Sequence, residues 1–544
     1  MTETPHPGQQ RLSALVALLQ AGRGDEATAH AAAMLADGLV HPLPLGLVAA
    51  QRQREGRFED AVALHQRRVP LMGADPAGWA GLAACLFAAR RPEAALDAWN
   101  EALALAPHDP RVLSGKAGVV HSLGNPGVAR SLYRQALGAA PELLEARFGL
   151  AQLALEAGDL AEASDLAEAM ARTHPAHPAV SGLAARIATN QGAFAAADSH
   201  LARLLATPGL GPDQRAEALL LRAEALEAAD RPAEAFAAAS EGKGLQHALY
   251  AERAAGREGE TAKLKRLAGW FAAADPGPWR EAAASASPPP PAATHVFLVG
   301  FPRSGTTLLE QALAGHPEVV ALEEAPTLAA QYGELMTSGS ALEHLAHLAP
   351  READAWRALY WDEVTRFGPD VSGRVFLDKA PAGTLYLPLI AKLFPNAKVL
   401  FAVRDPRDVV LSCFRNNFQL NAMTYAFTDL AETAACYDAC MAMAEVYRRV
   451  LPLDLREVRH EALVNDFDAE LAGICDFLGL EVTAGMADIA ATAAGRTVRT
   501  PSARQVRAGL NSGGLGRWRA YAAELAPVLR TLAPWVERFG YERV

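Results

Sequence analysis

The chain has 544 residues, of which 51% are apolar, and carries a net charge of -11. It is too long for one compact core, so two or three domains are expected, and its apolar fraction excludes a disordered chain. The acidic balance excludes a general nucleic-acid binder, whose affinity rests on basic surface, while leaving room for a local basic pocket.

Targeting and cysteine signals are sparse. "MTETPHPGQQRLSALVALLQ" lacks the basic-then-apolar order of a secretory leader, and no apolar run reaches the ~18 residues of a membrane span. The expected location is the cytoplasm, with no membrane association. Cys85, Cys413, Cys436, Cys440 and Cys475 include no CxxC pair and read as buried, reduced thiols.

The first half is periodic. Ala27, Ala61, Ala95, Ala129, Ala163 and Ala197 recur every 34 residues. Gly22, Gly56, Gly124, Gly158 and Gly192 share a second frame, broken at Arg90. Pro42, Pro76, Pro110, Pro178 and Pro212 share a third, with Leu144 in the gap. The glycine suits a left-handed residue closing one helix, the alanine a close helix–helix approach, and the proline the first turn of the next helix. Such pairs predict an α-solenoid of about six repeats over residues 8 to 211, with a looser seventh, "RPAEAFAAA", shifted by four residues. The layout resembles the tetratricopeptide repeat, best over residues 76 to 107, where Trp79, Leu82, Ala83, Ala95, Trp99, Ala102 and Pro107 sit at signature positions. The resemblance implies a concave face that binds a peptide or protein. Scaffolding or homodimer formation is the alternative use of the array.

Helical patterns continue to about residue 275, followed by "DPGPWREAAASASPPPPAATH". Four consecutive prolines fit neither a helix nor a central strand. The expected division is repeats over 8–245, a connecting helix and Pro-rich linker over 246–293, and a third segment over 294–544. In that last segment short apolar runs alternate with helical patterns, as in an α/β domain with a mainly parallel sheet.

"VFLVGFPRSGTTLLEQAL", residues 296 to 313, reads as strand, glycine loop and helix, the build of a phosphate-binding loop. Gly300 and Gly305 have Walker-like spacing, but Thr306 stands where the nucleotide triphosphatase lysine would be, and the cation has moved into the loop at Arg303. The candidate anion ligands are Arg303, Ser304, Gly305, Thr306 and Thr307. "NAKVLFAVRDPRDVVLSCF", residues 396 to 414, repeats the strand–turn–helix pattern and ends its strand in Arg404, with Ser412 about two turns on. Arg404 and Ser412 suit a second phosphate. Two anion cradles suggest a nucleotide with phosphates on both sides of its ribose. No acidic residue is placed for Mg²⁺, so no metal is expected. Arg407 and Asp408 read as a pair at a helix start.

"PRSGTT" followed by "VRDPRDVVLS" resembles the sulfotransferase family over roughly residues 294 to 544. The resemblance implies a P-loop-like α/β fold and 3′-phosphoadenosine 5′-phosphosulfate (PAPS) as donor, with Arg303 at the phosphosulfate. "HPEVVALEEAP" resembles a segment of the tyrosylprotein sulfotransferases and implies Glu324 as catalytic base, with neighbouring Glu323 left open. "FLDKAP" implies a catalytic Lys379. "TPSARQVR" and "GLGRWRAY" match the segment that covers the nucleotide, at Ser502, Gln505, Val506, Arg517 and Trp518. "RHEALV" places His460 where those enzymes carry a nucleotide-contacting tyrosine. The implied function is sulfuryl transfer to a hydroxyl, with protein tyrosine the leading acceptor and the repeats presenting a protein. The alternatives are a saccharide or small-molecule acceptor, or a repeat scaffold whose nucleotide domain senses PAPS or its desulfated product.

Overall fold

A computed structural model describes residues 7–89, 91–175, 177–280, 291–494, 509–510 and 513–542. The chain divides into two compact units, residues 1–200 and 201–544.

The first unit is built of helix pairs. Helices Pro42–Arg54, Pro76–Ala88, Pro110–Ser122 and Pro178–Asn190 start on the proline frame, and Leu144–Ala157 starts on its leucine substitute. Proline is tolerated there because its missing N–H is one that the first helical turn leaves unbonded. Asp75 and Asp109 accept amide hydrogen bonds as N-caps. Gly22, Gly56, Gly124, Gly158 and Gly192 all have φ between 71° and 86°, the left-handed turn that the periodicity required. The six frame alanines have no solvent exposure.

The second unit opens with helices of the same kind. Pro212–Ala228 and Pro232–Ala254 are joined through Asp230, at φ 56°. The four-residue shift of the seventh repeat puts an aspartate, which tolerates this region better than most residues, in the glycine's place. These helices share a compact unit with the α/β domain, so the division of the chain falls at 200/201, earlier than the change in sequence character at 245/246. Side chains explain why. Phe236 lies against Phe414 and Tyr521, with ring centroids at 5.4 and 6.3 Å. Buried Lys243 donates to Asn416 O at 2.7 Å. Helix Glu260–Ala273 packs on helix Leu430–Val450, Thr261 Oγ1 donating to Glu432 at 2.6 Å.

The sheet has five described strands: β1 (Thr294–Gly300), β2 (Val319–Glu323), β3 (Val375–Lys379), β4 (Lys398–Val403) and β5 (Asp454–Arg459). Their order is β2-β3-β1-β4-β5 and every pairing is parallel. Successive residues of β1 enter opposite cores. Phe297, Val299 and Phe301 join the larger one, with helix Leu430–Val450; Val296 and Leu298 join the other, with helices Thr306–Ala314 and Phe467–Leu478. Burial on both faces is why β1 reads as an unbroken apolar run. The chain leaves β1 toward β2 on one side and later crosses to β4 on the other. The crevice beyond the carboxyl ends of β1 and β4 is therefore a topological switch point, where α/β sheets hold ligands. Among the described residues no helix is long and apolar enough to cross a membrane. All five cysteines are buried free thiols.

Candidate active site

The loop after β1 is shaped by close approaches. A Cβ on Gly300 would lie 2.6 Å from Ala402 O, so only glycine lets β1 run this near β4. Gly305 has φ 96°, and a Cβ there would meet His460 Nδ1 at 2.4 Å. Arg303 adopts φ 73° without being glycine, a conformation that the surroundings must enforce. The enforcing bonds come from the second motif. Arg404 Nη1 donates to Arg303 O at 3.2 Å, and Arg303 Nε donates to Ser412 Oγ at 3.0 Å. Burial pushes the Arg303 guanidinium down to about 10, still cationic at neutral pH. Ser304, Thr306 and Thr307 are buried where helix Thr306–Ala314 begins, with its N-terminal amides facing the loop.

Arg404 and its helix also hold the C-terminal segment. Arg404 Nη2 donates to Gly514 O. Asp408 accepts from the backbone amides of Gly516 and Trp518, each at 2.8 Å, and lies 3.8 Å from Arg404. Burial pushes the Asp408 carboxyl up to about 6. The expected Arg407–Asp408 pair is not formed. Arg407 forks onto Asp405 at 2.9 and 2.6 Å and stacks 3.8 Å from the Trp518 ring. Asp408 thereby becomes an anchor that the sequence reading missed, because its partners stand more than a hundred residues away.

His460 follows β5 and lays its ring on Gly305. Burial, with Arg404 and Arg303 close by, holds the imidazole down at about 3, so it is neutral. Its Nδ1 and the Nε of Arg404 are buried polar atoms without a hydrogen-bond partner. Two guanidiniums and the helix-terminal amides form a donor-rich set that fits a phosphate-bearing nucleotide.

At the end of β3, Lys379 has no solvent exposure. Its Nζ lies 2.9 Å from Glu324 Oε1, 3.2 Å from Glu323 Oε1 and 3.3 Å from Glu310 Oε2. Burial alone would lower this ammonium, but the three carboxylates outweigh it and the balance is a raised pKa. Glu310, fully buried on helix Thr306–Ala314, was not among the sequence candidates. Its signal was a carboxylate inside "TTLLEQALA", a helix too apolar to carry one without a partner. Glu324 has φ 50° and donates its amide to Lys379 O at 2.8 Å. Its side chain is 44% exposed against 13% for Glu323, so Glu324 is the carboxylate that a substrate could reach. Three described non-glycine residues have positive φ, and two of them, Arg303 and Glu324, are in this site. Asp378 turns away from Lys379, accepting from Thr327 Oγ1 and Tyr360 OH at 2.8 Å each, and burial pushes it up to about 6.

The fold thus brings Arg303, Ser304, Gly305, Thr306, Thr307, Arg404, Ser412 and His460 together beyond the carboxyl ends of β1, β4 and β5, with Lys379 and Glu324 at the same edge of the sheet. Arg517, a further sequence candidate, pairs with Glu227, Nε to Oε1 at 3.0 Å. Ser502, Gln505 and Val506 lie outside the described residues. Among the described residues no group of three or more His, Cys, Asp or Glu is placed to hold a metal.

Residues 295–484 match the sulfotransferase family model. The α/β part is a sulfotransferase-family domain. Residues 121–187 match the tetratricopeptide repeat. Among curated relatives, an uncharacterized protein of Aquifex aeolicus is 29% identical over 248 residues, 44% of this chain and 32% of that protein. Protein-tyrosine sulfotransferase 2 of Gallus gallus is 26% identical over 265 residues, 45% of this chain and 69% of its own length. Protein-tyrosine sulfotransferase 1 of Mus musculus is 34% identical over 125 residues, 22% of this chain and 33% of its own. The alignments thus span about a third of the Aquifex and mouse proteins. The sulfotransferase domain here is joined to repeats, as its sequence implied.

Proposed function

We propose that the protein transfers a sulfuryl group from PAPS to an acceptor hydroxyl, with tyrosine of a protein the favoured acceptor and the repeats binding that protein. The observation that carries this reading is that Arg303 bonds both Ser412 and Arg404, which supports reading the two motifs as one site with two anion cradles. A triphosphate site would need a lysine and a metal ligand in these positions. A nucleotide with separate 5′ and 3′ anions needs two cradles.

The roles follow from position. Arg303, Ser304, Thr306, Thr307 and the loop amides hold the phosphosulfate; Arg404 and Ser412 hold the 3′-phosphate; His460 packs beneath the loop. The acceptor oxygen attacks sulfur in line as the bond to the phosphate oxygen breaks. Glu324 takes the acceptor proton, which for a phenol of pKa about 10 leaves late along the reaction. Arg303 and Lys379 stabilise charge on the leaving oxygen. The names of the chicken and mouse relatives favour tyrosine.

The test is transfer of radiolabelled sulfate from PAPS to tyrosine peptides, saccharides and a lysate, with Arg404→Ala as control. Label on a peptide, lost in the control, supports both donor and acceptor. Label on a saccharide alone would replace the acceptor. Failure of the protein to bind the desulfated nucleotide would sink the donor reading.

A further inference from the structure

We propose that Glu227, from the helical repeats, is a positioning residue of the donor site: one carboxylate that sets two arginines, Arg415 and Arg517, for the 3′-phosphate. The inference deepens the donor reading above and rests on it.

Glu227 is the penultimate residue of helix Pro212–Ala228. Its Oε2 is paired with Arg415 Nη2 and its Oε1 accepts from Arg517 Nε at 3.0 Å. Arg517 Nη2 also donates to the Glu227 carbonyl at 3.3 Å, where the helix dipole favours a cation. The Glu227 and Arg415 side chains are 18% and 15% exposed, so this is a built contact and not a passing surface pair.

Both arginines start from the 3′-phosphate cradle. Arg415 lies one helical turn beyond Ser412, on the same face of helix Pro406–Arg415. Arg517 sits inside the segment pinned to Arg404 and Asp408 through Gly514, Gly516 and Trp518. Arg415 is stacked 4.9 Å from the Tyr521 ring, and that ring is wedged against Phe236 of the next repeat helix. Burial lowers the Arg415 guanidinium to about 10, so it stays charged. Glu224 also lies within electrostatic reach of Arg415.

Two adjacent guanidiniums repel one another. A single carboxylate gripping both holds them together at a fixed spacing; Glu224 offsets part of the remaining charge, and Arg303, bonded to Ser412, adds its own. That leaves positive charge beside Ser412 for an anion, already oriented. Without Glu227 the arginines would separate, and the ordering would have to occur on binding. A carboxylate this near a phosphate also repels it, but pairing with two guanidiniums offsets that repulsion. Preorganisation is expected to win because the carboxylate's own charge is already spent on the arginines.

The experiment is calorimetric titration of the full-length protein with adenosine 3′,5′-bisphosphate and, separately, adenosine 5′-phosphate, which lacks the group in question. Glu227→Gln is expected to weaken the bisphosphate about tenfold, the scale of one lost charge-assisted contact, and to change the 5′-phosphate by less than about twofold. Unchanged or tighter bisphosphate binding would overturn the proposal, and so would equal losses for both nucleotides, which a merely structural role predicts. If Glu227→Gln does not fold, Glu227→Asp carries the test. Its shorter side chain reaches one arginine only, and an intermediate loss confined to the bisphosphate is expected; unchanged affinity overturns the proposal there too. A wild-type protein that binds no bisphosphate would instead defeat the donor reading itself.

Discussion

Lys379 donates to Glu324 at 2.9 Å from a position without solvent exposure, while the glutamate remains nearly half exposed. The lysine thus orients the carboxylate, and the exposed part of Glu324 stays open to an acceptor. Glu324→Gln and Lys379→Ala are each expected to lower kcat by about 10²–10³. Steady-state kinetics with PAPS and the best peptide acceptor checks this; near-normal kcat in either variant removes its assigned role.

Glu310 raises the Lys379 pKa against the opposing effect of burial. Removing its charge lowers that pKa, so the lysine loses its proton at lower pH. Glu310→Gln is expected to move the alkaline limb of the kcat profile toward neutrality and to leave KM for the donor within about threefold. A profile superimposable on wild type would show that Glu323 and Glu324 suffice.

Gly305→Ala brings two conflicts at once, a left-handed backbone and a Cβ 2.4 Å from His460 Nδ1. The backbone strain alone is worth about 1–2 kcal/mol. The loop is expected to shift and nucleotide affinity to fall by at least about tenfold, read by calorimetry. Adding His460→Ala relieves the clash but not the strain, so only partial recovery is expected.

Asp378 gives a test in stability. Its carboxyl stands at about 6 in the fold, above its ordinary value, so the folded state binds the proton more tightly than the unfolded chain. Its contribution is therefore most favourable below pH ~4 and is lost as pH rises through about 6, a change of roughly 2–3 kcal/mol for a shift of this size. Hydrogen exchange of the β3 amides at pH 4.5 and 7 checks it. The stability of wild type relative to Asp378→Asn is expected to decline across that interval, and a constant difference would contradict the assignment.

What could be read beforehand followed from locality. The 34-residue frames disclosed the repeat turns because proline, glycine and alanine each meet a backbone requirement within one helix pair. The two strand–loop–helix motifs disclosed Arg303, Arg404 and Ser412 because each motif is contiguous. Glu227, Glu310 and Asp408 escaped for a common reason. Each is an ordinary acidic residue in a helix, and its role exists only once a distant segment folds against it.

Asp230, Phe236 and Lys243 bear on how the protein can be dissected. A fragment cut at residue 294, where the sulfotransferase signature starts, would strip Phe414 and Tyr521 of their aromatic cover, the Asn416 carbonyl of its lysine and Arg415 of its carboxylate. A fragment beginning before Pro212 retains all four. The helices Pro212–Ala228 and Pro232–Ala254, repeat-like in spacing, are therefore expected to be needed in any fragment that keeps the α/β part's own contacts.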